Sequence, residues 1–139
     1  ASTSMGRAYF AAASAAEQND ILADFKETDP KNFKAIEKSL RKEEKEYATK
    51  GYCTSVGSWE DDVNAVGAAV TLSNDTLAAF NCGGPASRIT EDKLDDLGRR
   101  GRRVLIQAQT SGKNAAGQAA GESMQQQALT KLALYIASV

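Results

Sequence analysis

From Val63 to Leu72 the chain alternates with the two-residue period of a strand. Val66, Ala68, Val70 and Leu72 fall on one face and Val63, Ala65, Gly67, Ala69 and Thr71 on the other. Both faces are nearly apolar, so the pattern predicts a strand covered on both sides. Ser73-Asn74-Asp75 supplies the small polar residues of a tight turn, and Thr76 to Cys82 reads as the returning strand of a hairpin in the middle of a sheet. Gly83-Gly84-Pro85 is expected to stop it, because proline cannot donate to a ladder. Ser87 and Thr90 then offer caps for a helix beginning near Glu91.

Upstream the period lengthens to that of helices. Ser2 or Thr3 can cap a first helix with Met5, Ala8, Tyr9 and Ala12 at helical spacing, and its alanines predict burial on most sides. Ser14-Ala15-Ala16-Glu17 has the spacing of a reciprocal capping box, which predicts a second helix from Ala15 to Lys26 with Ile21, Leu22 and Phe25 inward. Asp29 as cap and Pro30 at the first helical position predict a third helix, with Phe33, Ile36, Leu40 and Tyr47 as its apolar stripe and Gly51 closing it. The mixed charges from Arg41 to Glu46 read as a solvated face with weak ion pairs. Beyond Thr90 a fourth helix runs through Leu94, Leu97, Val104, Leu105 and Ala108, its acids near the positive end and its arginines later, weakened at Gly98 and Gly101. Residues 109–122, rich in Gly, Ala, Gln and Ser, read as a flexible connection. From Met124 to Ile136 a helical pattern returns, predicting a terminal helix within residues 123–139 whose role the sequence leaves open.

Composition narrows the chemistry. The 139 residues suit one domain, and 17 basic against 18 acidic residues leave a net charge of −1, too little to draw nucleic acid to the chain as a whole. There is no histidine, which removes Cys-His and Ser-His nucleophile pairs and most zinc sites. Cys82 or Ser55 as a nucleophile would need Lys50 or Lys93 as base, and neither lysine completes a Ser-x-x-Lys motif, so no catalytic residue and no enzyme activity are predicted. No glycine-rich phosphate loop occurs, Ser111-Gly112-Lys113 standing alone, and neither cofactor nor metal is expected. Glu60, Asp61 and Asp62 are consecutive, point in different directions and read as a solvated loop. Trp59 beside them reads equally as a lid over a ligand or a plug at the sheet edge. Arg99, Arg100, Arg102 and Arg103 form the dense basic cluster. A phosphate or nucleic-acid contact there is weakened by the lack of interleaved aromatics and by the acids just upstream. Cys53 and Cys82 fall on different predicted strands. With no signal peptide and no long apolar span, free thiols in a cytoplasmic setting without a membrane are expected.

One constellation gathers small and hydrogen-bonding residues. Ser55, Val63, Ala65, Asn81 and Gly83 lie on three neighbouring strand segments, with Ser4 and Met5 at a helix start. Alternation puts Val63, Ala65, Asn81 and Gly83 on one sheet face. Small side chains leave room there, Asn81 and the serines offer hydrogen bonds, and a helix N-terminus presents free N–H groups suited to a carboxylate. The same residues are also consistent with no pocket at all, Asn81 bonding neighbouring backbone and the small residues admitting helices.

Residue for residue, the middle of the chain resembles the effector-binding domain of the IclR family of bacterial transcription regulators. The resemblance is carried by Gly51-Tyr52, Ser55, Ala65-Val66-Gly67 and the strand-to-helix corner Gly84-Pro85-Ala86-Ser87-Arg88-Ile89, with Met5-Gly6-Arg7-Ala8-Tyr9 similar to the family's helix start. Ser58 departs from the family's usual Glu, and Thr71-Leu72 from a common aromatic followed by Asp or Asn. The resemblance spans roughly Ser2 to Ala108. It implies an α/β fold, an antiparallel-centred sheet with helices packed on it, in the manner of GAF-like sensory domains. It implies an effector-binding domain over residues 1–108, incomplete at its N-terminal side because the family's opening strands and winged-helix domain would precede residue 1 of a longer polypeptide. It also implies that Ser4, Met5, Ser55, Val63, Ala65, Asn81 and Gly83 line a cavity for a small organic or aromatic acid, held by neutral donors since no Lys or Arg is among them. The implied partners are the small-molecule effector, a homodimer or homotetramer, and DNA only through the absent domain. The alternative is an oligomerisation module without a ligand.

Overall fold

The computed structural model describes residues 2–72 and 75–114, with no account of the side chains of residues 108 and 110–114. Four helices and three strands follow in the order α1 (Ser4–Ala12), α2 (Ala15–Thr28), α3 (Phe33–Lys50), β1 (Cys53–Val56), β2 (Val63–Thr71), β3 (Leu77–Pro85) and α4 (Glu91–Asn114). The strands form one antiparallel sheet in the order β1-β2-β3. This is the α/β architecture, an antiparallel sheet with helices packed on it, that the resemblance implied.

Both faces of β2 are covered. Val66, Ala68 and Val70 meet α4, where Tyr52, Ala68, Val70 and Leu105 form one core cluster and Val66, Ile89, Leu94 and Leu97 another. Burying each valine, leucine or isoleucine among them contributes on the order of 1.5–3 kcal/mol. The opposite face receives α1 and α3, and Phe10, Leu22 and Leu40 close a third cluster among the helices. Tyr47 fastens α3 to β2: its hydroxyl accepts from the Ala69 N–H at 3.1 Å and donates to the Ala69 carbonyl at 3.4 Å.

Several local signals act as read. Thr3 caps α1 by accepting from the Gly6 N–H at 3.1 Å, and Gly51 ends α3 in the left-handed region at φ 76°. Others are redirected by partners distant in sequence. Ser14 caps α2 by accepting from the Glu17 N–H, but the Glu17 carboxylate accepts from the Tyr9 hydroxyl instead of completing the reciprocal box. Helix α3 starts at Phe33, not at Pro30, because the Asp29 carboxylate holds the Asn32 N–H and side-chain amide and closes a separate turn. The charged run on α3 is only partly solvated. Glu43 pairs with Arg7 at 3.3 Å, both side chains mostly buried, and Glu44 accepts from Gln18 and Arg41.

Strand β3 continues through Gly83-Gly84-Pro85, where the sequence predicted a stop. It is the edge strand of the sheet among the described residues, so the hairpin is not central, and a proline at the end of an edge strand interrupts little. Of the turn, Ser73 and Asn74 lie outside the described residues, and Asp75 has φ 60°. Helix α4 runs unbroken past both glycines and over residues 109–114, where the sequence predicts the start of the connection. The remainder of that connection and the terminal helix lie outside the described residues. No described helix is long and apolar enough to cross a membrane.

Candidate functional site

The site is built by the approach of α1 to the sheet. A β-carbon added to Gly67 would lie 2.4 Å from the Ser4 carbonyl oxygen and 2.7 Å from the Met5 nitrogen, so glycine alone admits the helix start there. This seats the first turn of α1, with N–H groups that lack intrahelical partners, against the centre of β2.

Beside that contact is a cavity of about 400 Å³ lined by Thr3, Ser4, Ser55, Trp59, Val63, Ala65, Asn81, Gly83 and Gly84. The volume is within the range of small-molecule sites. Its floor follows from strand register: Ser55 lies opposite Ala65, and Ala65 opposite Gly83, on the sheet face towards α1. A β-carbon at Gly83 would come within 2.7 Å of the Ala65 β-carbon, so small residues here keep the floor open.

Six of the seven residues singled out in the sequence therefore meet around one space: Ser4, Ser55, Val63, Ala65, Asn81 and Gly83. Met5 does not. It is 42 % exposed, whereas Ser4 and Ala8 on the same helix are fully buried. Thr3, Trp59 and Gly84 join the lining without having been predicted as site residues. Thr3 was legible only as a cap, and its place next to Ser4 follows once the helix start is at the cavity. Trp59, 63 % exposed, stands at the rim, between the two roles its sequence position suggested.

The polar groups differ in how well they are satisfied. Ser55 Oγ donates to the Ser2 carbonyl at 3.2 Å. The Asn81 side chain makes no hydrogen bond among the described residues, so it does not satisfy neighbouring backbone there. Ser4 is completely buried, and its hydroxyl is without a hydrogen-bond partner. Leaving a buried hydroxyl unpaired costs about 1–3 kcal/mol. No charged side chain of the described residues lines the cavity.

The other sheet face offers little space. Between β3 and α4 is a void of about 30 Å³ bordered by Tyr52, Phe80 and Cys82, room for roughly one water. Both cysteines are free. Burial pushes the Cys53 thiol up to about 12, with Glu43 adding to the effect, and burial also raises Cys82. Neither thiol is poised as a nucleophile. Among the described residues no group of acids and cysteines could hold a metal ion.

Comparison with known proteins matches residues 1–104 to the family described as bacterial transcriptional regulator IclR C-terminal. Among solved structures, an IclR family transcriptional regulator from Brucella abortus superposes with a TM-score of 0.71 at 32 % identity, covering 80 % of this chain and 43 % of its own. The repressor BlcR of Agobacterium tumefaciens shares the fold at a TM-score of 0.54 and 14 % identity, covering 90 % of this chain and 45 % of its own. The chain thus spans less than half the length of these proteins. Among curated proteins none matches it. The matched family is one of transcriptional regulators rather than enzymes.

Proposed function

The chain belongs to the IclR C-terminal family of bacterial transcriptional regulators, and from that premise we propose that it binds a small organic or aromatic acid in the cavity beneath the start of α1. The observation that carries this reading is the buried, unpartnered Ser4 hydroxyl at a cavity of about 400 Å³. The ligand carboxylate sits at the α1 N-terminus, where N–H groups and the positive end of the helix dipole stabilise a negative charge. Ser4 and Asn81 add neutral hydrogen bonds. Val63, Ala65 and the Trp59 ring give apolar contact to the rest of the molecule. Absence of a lysine or arginine from the lining selects a weakly held acid whose occupancy follows its concentration.

In the same reading residues 1–108 are the effector-binding part of a cytoplasmic homodimer or homotetramer. DNA is bound by a winged-helix domain outside this chain. Light scattering of the purified chain tests the assembly, and a strict monomer at all concentrations contradicts it.

A thermal-shift screen against small aliphatic and aromatic carboxylic acids tests the ligand, because a molecule that binds only the folded state raises the melting temperature. Stabilisation by one class of acid, lost in Asn81→Leu and Ser55→Val while both variants remain folded, supports the assignment. Stabilisation that survives both substitutions, or none with any acid, contradicts it.

A further inference from the structure

A further concave site lies where the end of α3 meets α4 and shares no lining residue with the α1 cavity. It is a groove of about 330 Å³ bordered by Lys50, Arg99, Arg102, Arg103, Ile106 and Gln107. Arg99, Arg102 and Arg103 are three and four positions apart on α4, so they share one helix face, and Lys50 approaches from the end of α3.

The charges converge because of two features. Gly51 has φ 76°, which turns the chain sharply after Lys50. Having no side chain, it also lets Arg102 lie across its backbone: an added β-carbon would be 1.9 Å from Arg102 Nε. Arg102 is thereby held in the groove between the two helices.

None of the four cations forms an ion pair with a carboxylate of the described residues. The acids on the neighbouring turns are engaged elsewhere. Asp95 accepts from the Tyr52 hydroxyl at 3.0 Å, Asp96 pairs with Arg100 at 2.7 Å, and Glu46 pairs with Lys42 at 3.6 Å. The negative end of the α3 dipole amounts to only about half a charge. Residues 115–139 contain one acid, Glu122, and one base, Lys131.

We propose that this groove binds a small phosphate-bearing anion through Lys50, Arg99, Arg102 and Arg103. Four cations exceed what a single carboxylate balances. A phosphate carries close to two negative charges at neutral pH and three acceptor oxygens, which planar guanidinium groups engage two at a time. Ile106, 45 % exposed, provides an apolar border for the body of a phosphorylated molecule. A nucleic-acid duplex fits less well. It favours an extended basic stripe and a positive overall field, whereas these charges converge on one groove in a chain of net charge −1. The site goes beyond the effector reading and stands whether or not the α1 cavity takes an acid.

The test is calorimetric titration of the whole chain with pyrophosphate, with sodium chloride at matched ionic strength as reference, and in parallel with a random 20-base-pair DNA duplex. Saturable pyrophosphate binding is expected, weakened at least about tenfold in Arg103→Gln and in Arg99→Gln, as loss of a charge-assisted hydrogen bond implies. Lys34→Gln, exposed at the start of α3, leaves it unchanged. Circular dichroism verifies that each variant is folded, and Arg99 and Arg103 are chosen because Arg102 packs on Gly51. Absence of saturable pyrophosphate binding overturns the proposal. So does equal binding by all variants, or binding of the duplex alone.

Discussion

The Ser4 carbonyl oxygen occupies the place a side chain on Gly67 would need, 2.4 Å from an ideal β-carbon there. This contact is made with backbone, which cannot rotate aside as a side chain can. It determines how deeply the start of α1 sits on the sheet and, with that, the roof of the cavity. Gly67→Ala is therefore expected to destabilise the fold by about 1–3 kcal/mol, as overpacking does, and to displace α1. Urea unfolding measures this. An unchanged midpoint means that α1 does not rest on Gly67.

Gly98 and Gly101, both on α4, are expected to respond to alanine with opposite signs. Helix propensity alone favours alanine over glycine by about 1 kcal/mol. At Gly101 no described residue lies within 4 Å of an added β-carbon, so Gly101→Ala gains roughly that amount. At Gly98 the new atom would meet the Tyr52 ring at 2.4 Å, and Gly98→Ala loses stability despite the better propensity. Two variants that shift in the same direction contradict the packing of α4 on Tyr52.

Ser4→Ala removes a buried hydroxyl that has no partner. Without ligand the variant is expected to be more stable by about 1 kcal/mol, since a desolvation cost disappears. Its stabilisation by any acid identified in the thermal-shift screen is expected to shrink. A less stable unliganded variant shows that the hydroxyl already has a partner in the free protein.

Cys53 couples stability to alkaline pH. Burial raises its folded-state value from 9.0 to about 12, whereas the unfolded thiol keeps the ordinary value. Below about pH 9 both states are protonated and nothing is lost. Between there and 12 the unfolded state releases its proton first, so stability falls as pH rises. Urea midpoints between pH 8 and 10 are expected to decline more steeply in the wild type than in Cys53→Ala. Parallel slopes contradict the assignment. At pH 8, a thiol reagent should modify Cys53 far more slowly in the native protein than in urea.

Much of the fold was legible in the sequence because its signals act within a few residues. The caps at Thr3 and Ser14 and the turn at Gly51 each depend on bonds that span three or four positions, and the alternation of β2 follows from the two-residue period of an extended backbone. The cavity floor was legible for a related reason. Strand alternation puts Val63, Ala65, Asn81 and Gly83 on one face whatever surrounds them, once β2 and β3 pair in their register. The Gly84-Pro85 corner and the Gly51-Tyr52 pair carried the family resemblance, to which residues 1–104 belong.

What only the tertiary structure decided are contacts between segments far apart in the chain. Arg7 reaches the Thr54 carbonyl across 47 positions and Ser55 reaches Ser2 across 53. No local pattern encodes such partners, because each depends on how deeply one element settles on another. The exposure of Met5, the diversion of Glu17 to Tyr9, the late start of α3 and the seat of Arg102 over Gly51 are all decided at that level. The sequence by itself determined the elements and which residues share each face. Packing, a competition of volumes and hydrogen bonds across the whole chain, decided which of those faces enclose space.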